Sequence, residues 1–197
     1  MHGFLLCHGL ENRRWPGHWL RHLAQDLRVH GEYVAYPQWP HPDEPRDAEW
    51  KQQLQAEFEL MGEAGVSAVT VVAHSLGCVN VLGYLATHIP PVNIDRLILV
   101  APADPDLLKS YTDITVDLSN LSTATHISET ADRITIVASE SDPWLPRGIH
   151  ATFADALGVA PIMFMGSGHI SMTEGFGHWK GIYEWCLGRE ELLVQKS

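Results

Sequence analysis

Three side chains far apart in the chain, Ser75, Asp142 and His169, have the types and order needed to turn a hydroxyl into a nucleophile. Ser75 lies in Val69-Thr70-Val71-Val72-Ala73-His74-Ser75-Leu76-Gly77-Cys78, where an apolar β-branched run meets a small-x-Ser-x-Gly pentapeptide and then a helical pattern. So tight a turn from strand to helix strains the backbone of its serine and lifts Oγ to the top of the sheet. The flanking residues must be small for strand and helix to approach. Ala73 and Gly77 meet that need. An isolated pentapeptide of this kind could equally be a helix start capped by Ser75, but the strand before it and the amphipathic run behind it favour the nucleophile turn.

A serine hydroxyl is a weak nucleophile until a positioned base takes its proton, so the turn calls for a histidine and a carboxylate elsewhere. Where this turn occurs, the chain order is Ser, acid, His, with both partners on loops after strands. Asp142 follows the apolar run Ile136-Val137-Ala138 in Ser139-Glu140-Ser141-Asp142-Pro143-Trp144. A helix cap is its alternative role, and Glu140, Asp104 and Asp132 are rival carboxylates. His169 follows the last apolar run in Gly166-Ser167-Gly168-His169-Ile170, where two glycines permit the backbone of a turned-in imidazole. His74 reads as a supporting residue and His178 as the entry to the last helix.

Acyl transfer puts a negative charge on the former carbonyl oxygen, which preformed backbone N–H groups stabilise. The expected donors are the amides of Leu76, next after the nucleophile, and of Leu10, in the Cys7-His8-Gly9-Leu10 loop. Trp15, Trp19, Trp39 and Trp144 lie in or beside loops at the same strand ends. They predict an apolar, partly aromatic pocket for an uncharged acyl or alcohol group, with core packing as the alternative for any one of them.

The elements that must position these residues alternate along the chain. Strands are expected near Phe4–Cys7, Tyr33–Tyr36, Ala68–Val72, Leu97–Val100, Ile134–Ala138 and Ile162–Met165. Helices are expected near His18–Val29, Ala48–Met61, Leu76–His88, Gly148–Leu157 and Trp179–Leu192. This is the βαβ pattern of an α/β fold, a three-layer α/β/α sandwich with a mainly parallel sheet of six strands. No repeat or low-complexity linker interrupts it, so residues 1–197 read as a single domain. The stretch from Asp104 to Asp132 breaks the rhythm with Asp, Ser, Thr and Leu in weak periodicity. It reads as a small lid or a structural excursion, with a short helix near Asp106–Tyr111.

Composition narrows the function classes. The chain has 197 residues, 45% hydrophobic and 19% charged, enough to bury a sizeable core. A net charge of −11 argues against nucleic acid or an anionic membrane as partner. No apolar run reaches spanning length and no leader pattern opens the chain, so a cytoplasmic protein is expected. Cys7, Cys78 and Cys186 read as buried reduced thiols, with a nucleophilic Cys7 as a minor alternative. His18 and His22 have ligand-pair spacing but no further donor at a familiar spacing, so they read as surface histidines and neither a metal nor another cofactor is expected.

With these residues in view the chain resembles the small α/β-hydrolase serine hydrolases typified by retinoblastoma-binding protein 9 and its bacterial relatives. The shared marks are His8-Gly9 with the following His18-Trp19, Ala73-His74-Ser75-Leu76-Gly77-Cys78, Val100-Ala101-Pro102-Ala103-Asp104, the Ala138–Pro143 acid loop, and Gly168-His169-Ile170 leading to Gly175-Phe176-Gly177-His178-Trp179. The resemblance implies an α/β-hydrolase fold, hydrolysis of small-molecule esters or amides, and the same Ser75, Asp142, His169 set. It departs at 104–132 and at Lys180, where relatives often have proline. The competing expectation is a protein-binding module that keeps the fold without physiological catalysis.

Overall fold

In the computed structural model, which describes residues 1–193, six parallel strands form one sheet in the order β2-β1-β3-β4-β5-β6. In chain order the elements are β1 (His2–Cys7), α1 (Trp19–His30), β2 (Tyr33–Ala35), α2 (Asp47–Glu63), β3 (Ala68–His74) and α3 (Leu76–Leu85). They continue with β4 (Asn93–Val100), α4 (Pro105–Leu108), α5 (Leu121–Thr130), β5 (Ile134–Ala138), a π-helical turn His150–Ala154 running into α6 (Asp155–Leu157), β6 (Ile162–Met163) and α7 (Lys180–Cys186).

Strand alternation divides the core. Leu5 and Cys7 of β1, with Val69, Val71 and Ala73 of β3, face a layer that includes Trp50, Leu54 and Phe58 of α2 and most of α3. Phe4, Leu6 and Val72 face the other way, onto Trp19, Leu20 and Leu23 of α1 and Ile182 and Trp185 of α7. Both faces are covered, which is why these strands read as continuous apolar runs. At the far end of α7, Arg96 of β4 donates to the carbonyls of Trp185 (2.9 Å) and Cys186 (2.6 Å), satisfying two groups that a helix end leaves without partners.

The chain runs from β1 outward to β2, then crosses to β3 on the other side of β1. The loops leaving β1 and β3 therefore diverge at the carboxyl ends of adjacent strands, where open α/β sheets hold their ligands. Those loops carry Gly9-Leu10 and Ser75. Close packing there explains two glycines. A Cβ on Gly77 would lie 2.5 Å from the Cys7 carbonyl oxygen and 2.7 Å from that of His8, and one on Gly9 would lie 2.8 Å from Ser75 Cβ. Gly77→Ala is accordingly expected to destabilise the protein by about 1–3 kcal/mol, seen as a lower urea midpoint at an unchanged slope.

The main departure from the expected elements lies in residues 104–132. A parallel crossover from β4 to β5 needs a helix, and α5 supplies it, against the expectation of five helices. Its Leu-Ser-Thr-Ala-Thr-His-Ile-Ser-Glu-Thr sequence buries only Ala124 and Ile127, too few to show a periodicity; Asn120 caps it by accepting from Ser122 N–H at 3.0 Å. The short helix expected near Asp106–Tyr111 is the single turn α4. The C-terminal helix ends at Cys186, and Glu190–Leu192 forms a separate 3₁₀ turn. β6 keeps two residues of the four expected. Among the described residues no helix is long and apolar enough to cross a membrane.

Candidate active site

Ser75 sits between β3 and α3 at φ 59°, ψ −127°, a backbone conformation that L-residues rarely adopt. Its N–H donates to the Val100 carbonyl at 3.1 Å, holding the turn against β4. Oγ lies 2.8 Å from His169 Nε2, and His169 Nδ1 lies 2.9 and 3.0 Å from the two carboxylate oxygens of Asp142. The Asp142 side chain is wholly buried and that of His169 nearly so. Asp142 Oδ1 also accepts from Trp144 N–H at 2.9 Å. A carboxylate only accepts, so the neutral imidazole holds its hydrogen on Nδ1 and presents a bare Nε2 to the serine hydroxyl. That arrangement can take a proton from Oγ and later return it to a leaving group.

The acid loop also holds the histidine loop. Glu140, Ser139 and Ser141 accept in turn from the successive N–H groups of Gly166 (2.9 Å), Ser167 (3.0 Å) and Gly168 (3.1 Å). From the other side, His74 Nε2–H donates to the His169 carbonyl at 3.0 Å and Trp19 Nε1–H to that of Ile170 at 3.0 Å. Gly166, Gly168 and Ile170 all have positive φ. For a β-branched residue such as Ile170 that conformation is strained and persists only when its surroundings fix it, which these side-chain bonds do.

His8 orients the opposite rim. Burial pushes its pKa down to about 4 and keeps the ring neutral; Nε2 accepts from Trp39 N–H at 3.1 Å, so Nδ1–H donates to the Gly9 carbonyl at 2.9 Å. In a trans peptide the N–H points opposite to the carbonyl, so drawing Gly9 oxygen toward His8 turns the Leu10 N–H away from it. That N–H bonds no described group. Leu76 N–H opens α3 as a first-turn amide and has no helical acceptor behind it.

The other expected site residues separate by position. Trp15 and Trp144 border a cavity of about 820 Å³ above Ser75, together with Leu10, His18, Leu108 and Tyr111. Trp19 and Trp39 do not border it. Both are fully buried beneath the loops, Trp19 edge-on to His74 and Trp179, Trp39 stacked on Trp50 with its Nε1–H on the His8 carbonyl. Leu108 and Tyr111 come from the irregular 104–132 stretch, so part of it is a wall of the cavity and part is the crossover helix. Neither had a sequence signal. His18, expected at the surface, is 5% exposed and caps α1, while His22 lies edge-on to His178.

The rival groups are engaged elsewhere. Asp104 forms a bidentate pair with Arg147 at 2.6 Å and caps α4. Asp132 precedes β5, at the other end of the sheet from Ser75, and accepts from Asn93. Glu140 is exposed, and the Gly166 N–H holds its carboxyl below the usual range. Burial raises the Cys7 thiol far above its ordinary pKa, which keeps it protonated and unreactive.

A family model described as serine hydrolase matches residues 4–186. The chain belongs to the serine hydrolase family. Among solved structures, this hydrolase is similar to the ydeN gene product of B. subtilis, with a TM-score of 0.78 at 22% identity over 96% of this chain and 98% of that one. It is also similar to a YdeN-like hydrolase from Pectobacterium atrosepticum, with a TM-score of 0.71 at 20% identity over 98% and 93%. A structure described for the metagenome-derived lipolytic enzymes LipS and LipT gives 0.68 at 14% identity over 96% and 93%. At these identities the likeness is one of fold: an α/β-hydrolase sheet with its helices. None of the curated proteins compared matches this hydrolase.

Proposed function

We propose that this serine hydrolase cleaves carboxylic esters through an acyl-enzyme on Ser75, with His169 as base and acid and Asp142 as the group that fixes His169. The reading rests on one observation, the hydrogen-bonded chain from Ser75 Oγ through His169 to the buried Asp142 at the floor of an open cavity. Oγ attacks the ester carbonyl carbon as its proton passes to His169 Nε2. The carbonyl electrons move to oxygen, where the Leu10 and Leu76 amides are the donors. Collapse breaks the bond to the alcohol oxygen, which takes the proton from His169. A water molecule, deprotonated by His169, then attacks the acyl carbon and releases acid and free Ser75.

Leu108, Tyr111 and Trp144 offer an apolar wall for the acyl chain, and the negative net charge disfavours anionic substrates. The lipolytic description of a structural relative agrees with an ester substrate. The resemblance of its motifs supports assigning the hydrolase to the retinoblastoma-binding protein 9 type, as a single α/β-hydrolase domain. Three buried, unpaired cysteines suit the reducing cytoplasm.

A fluorophosphonate probe, which reacts where a serine is activated, should label the protein stoichiometrically at Ser75. No labelling of the folded protein would favour the binding-module alternative. In a panel of chromogenic esters graded by acyl length and charge, short to medium uncharged acyl groups should have the highest kcat/KM. A preference for phosphate, sulfate or dicarboxylate monoesters overturns this substrate assignment.

A further inference from the structure

His18 is buried, polar and only half used. Its Nδ1 accepts from Leu20 N–H at 3.1 Å, capping α1. A ring nitrogen that accepts carries no hydrogen, so the neutral imidazole has its N–H at Nε2. Burial first, then the neighbouring histidines, lowers the pKa of His18 to about 4 and keeps it neutral. Among the described residues nothing accepts from Nε2, although the ring borders the cavity above Ser75. The ring as a whole is buried but this donor opens on the cavity, where a ligand group or water must accept from it.

The adjacent His74 complements it. Its Nε2–H is used on the His169 carbonyl, leaving a bare Nδ1 as an acceptor. Burial pushes its pKa far down, so it too stays neutral. The His74 ring lies 5.2 Å from that of His18 and 5.0 Å from that of His169. These three rings make a continuous wall. In the proposed mechanism His169 Nε2 hands its proton to the departing alcohol oxygen, so the alcohol portion of the substrate lies along this wall.

We propose that His18 and His74 form a polar subsite for the leaving alcohol, His18 Nε2–H donating to a hydroxyl that in turn donates to His74 Nδ1. The substrate class follows: acyl esters of diols or polyols rather than of plain alkanols. The inference rests on the Ser75 acyl-enzyme reading. A methyl group in place of the hydroxyl leaves both histidine nitrogens without a partner, which is the kind of mismatch that discriminates strongly.

The test compares kcat/KM for 2-hydroxyethyl butanoate and n-propyl butanoate, which differ only in a terminal hydroxyl or methyl. The wild-type hydrolase should prefer the hydroxyl ester by about tenfold or more. In His18→Asn, where asparagine still caps α1 but is too short to reach the substrate, the ratio should fall towards one. Fluorophosphonate labelling of Ser75 separates the two levels of the argument. A labelled wild type with no hydroxyl preference, or a variant that keeps the preference, overturns the subsite alone. A folded wild type that does not label overturns the Ser75 reading and the subsite with it. If His18→Asn does not fold, the nitrogen resonances of His18 in Ser75→Ala protein serve instead. N-(2-hydroxyethyl)butanamide should shift Nε2 and N-propylbutanamide should not; equal responses overturn the subsite.

Discussion

Ser75→Ala is expected to lower ester hydrolysis by about 10⁶-fold, the scale on which serine hydrolases lose activity when the nucleophile is removed. The loss follows from the role, because without Oγ no acyl-enzyme forms and His169 has no hydroxyl to deprotonate. What remains is the modest acceleration that an oxyanion site and substrate binding give to attack by water. The fold should survive. Alanine inherits the same positive φ, the Ser75 N–H to Val100 bond is main-chain, and His169 Nε2 is left facing the cavity, where water can reach it. Initial rates on a chromogenic ester, paired with a urea midpoint, check both halves. A folded alanine variant whose rate stays within about tenfold of wild type removes Ser75 from the role, since that corresponds to only about 1.4 kcal/mol of barrier.

The strands were legible because a sheet covered on both faces needs apolar residues at nearly every position, and Val69–Ala73 or Ile134–Ala138 has no other reading. The meeting of Ser75, Asp142 and His169 was legible because a strained strand-to-helix turn leaves a local signature, and loops that follow strands converge at one end of a parallel sheet. α5 was not legible. It packs against α3 and α6 through Ala124 and Ile127 alone, and its other positions are Ser, Thr, Glu, His126 and an exposed Leu121, so no apolar stripe marks it. Which aromatics line the cavity was equally hidden, because a tryptophan beside a loop at the strand ends can support that loop from below, as Trp19 and Trp39 do, or border the cavity, as Trp15 and Trp144 do. The alternating acceptors of Ser139, Glu140 and Ser141 depend on how two loops meet, which no single segment encodes.

Asp142→Asn is expected to lower kcat by about 10⁴-fold while preserving the fold, in line with the loss that the isosteric amide causes in a serine protease. The buried carboxylate accepts from His169 Nδ1–H and so keeps Nε2 bare for Ser75. An asparagine that turns its NH₂ toward Nδ1 forces the hydrogen onto Nε2, where the ring can no longer take a proton. If it turns its oxygen instead, the imidazolium formed during attack loses its counter-charge at a wholly buried position, where the attraction is weakly screened. The rival carboxylates provide the comparison. Glu140→Gln keeps an oxygen for Gly166 N–H and should lose less than about tenfold. Asp132→Asn, at the other end of the sheet, should be near neutral, and Asp104→Asn, which weakens the pair with Arg147, should register in stability more than in rate. A large loss at Glu140→Gln beside an active Asp142→Asn would move the acid to Glu140 and leave Ser75 and His169 in their roles.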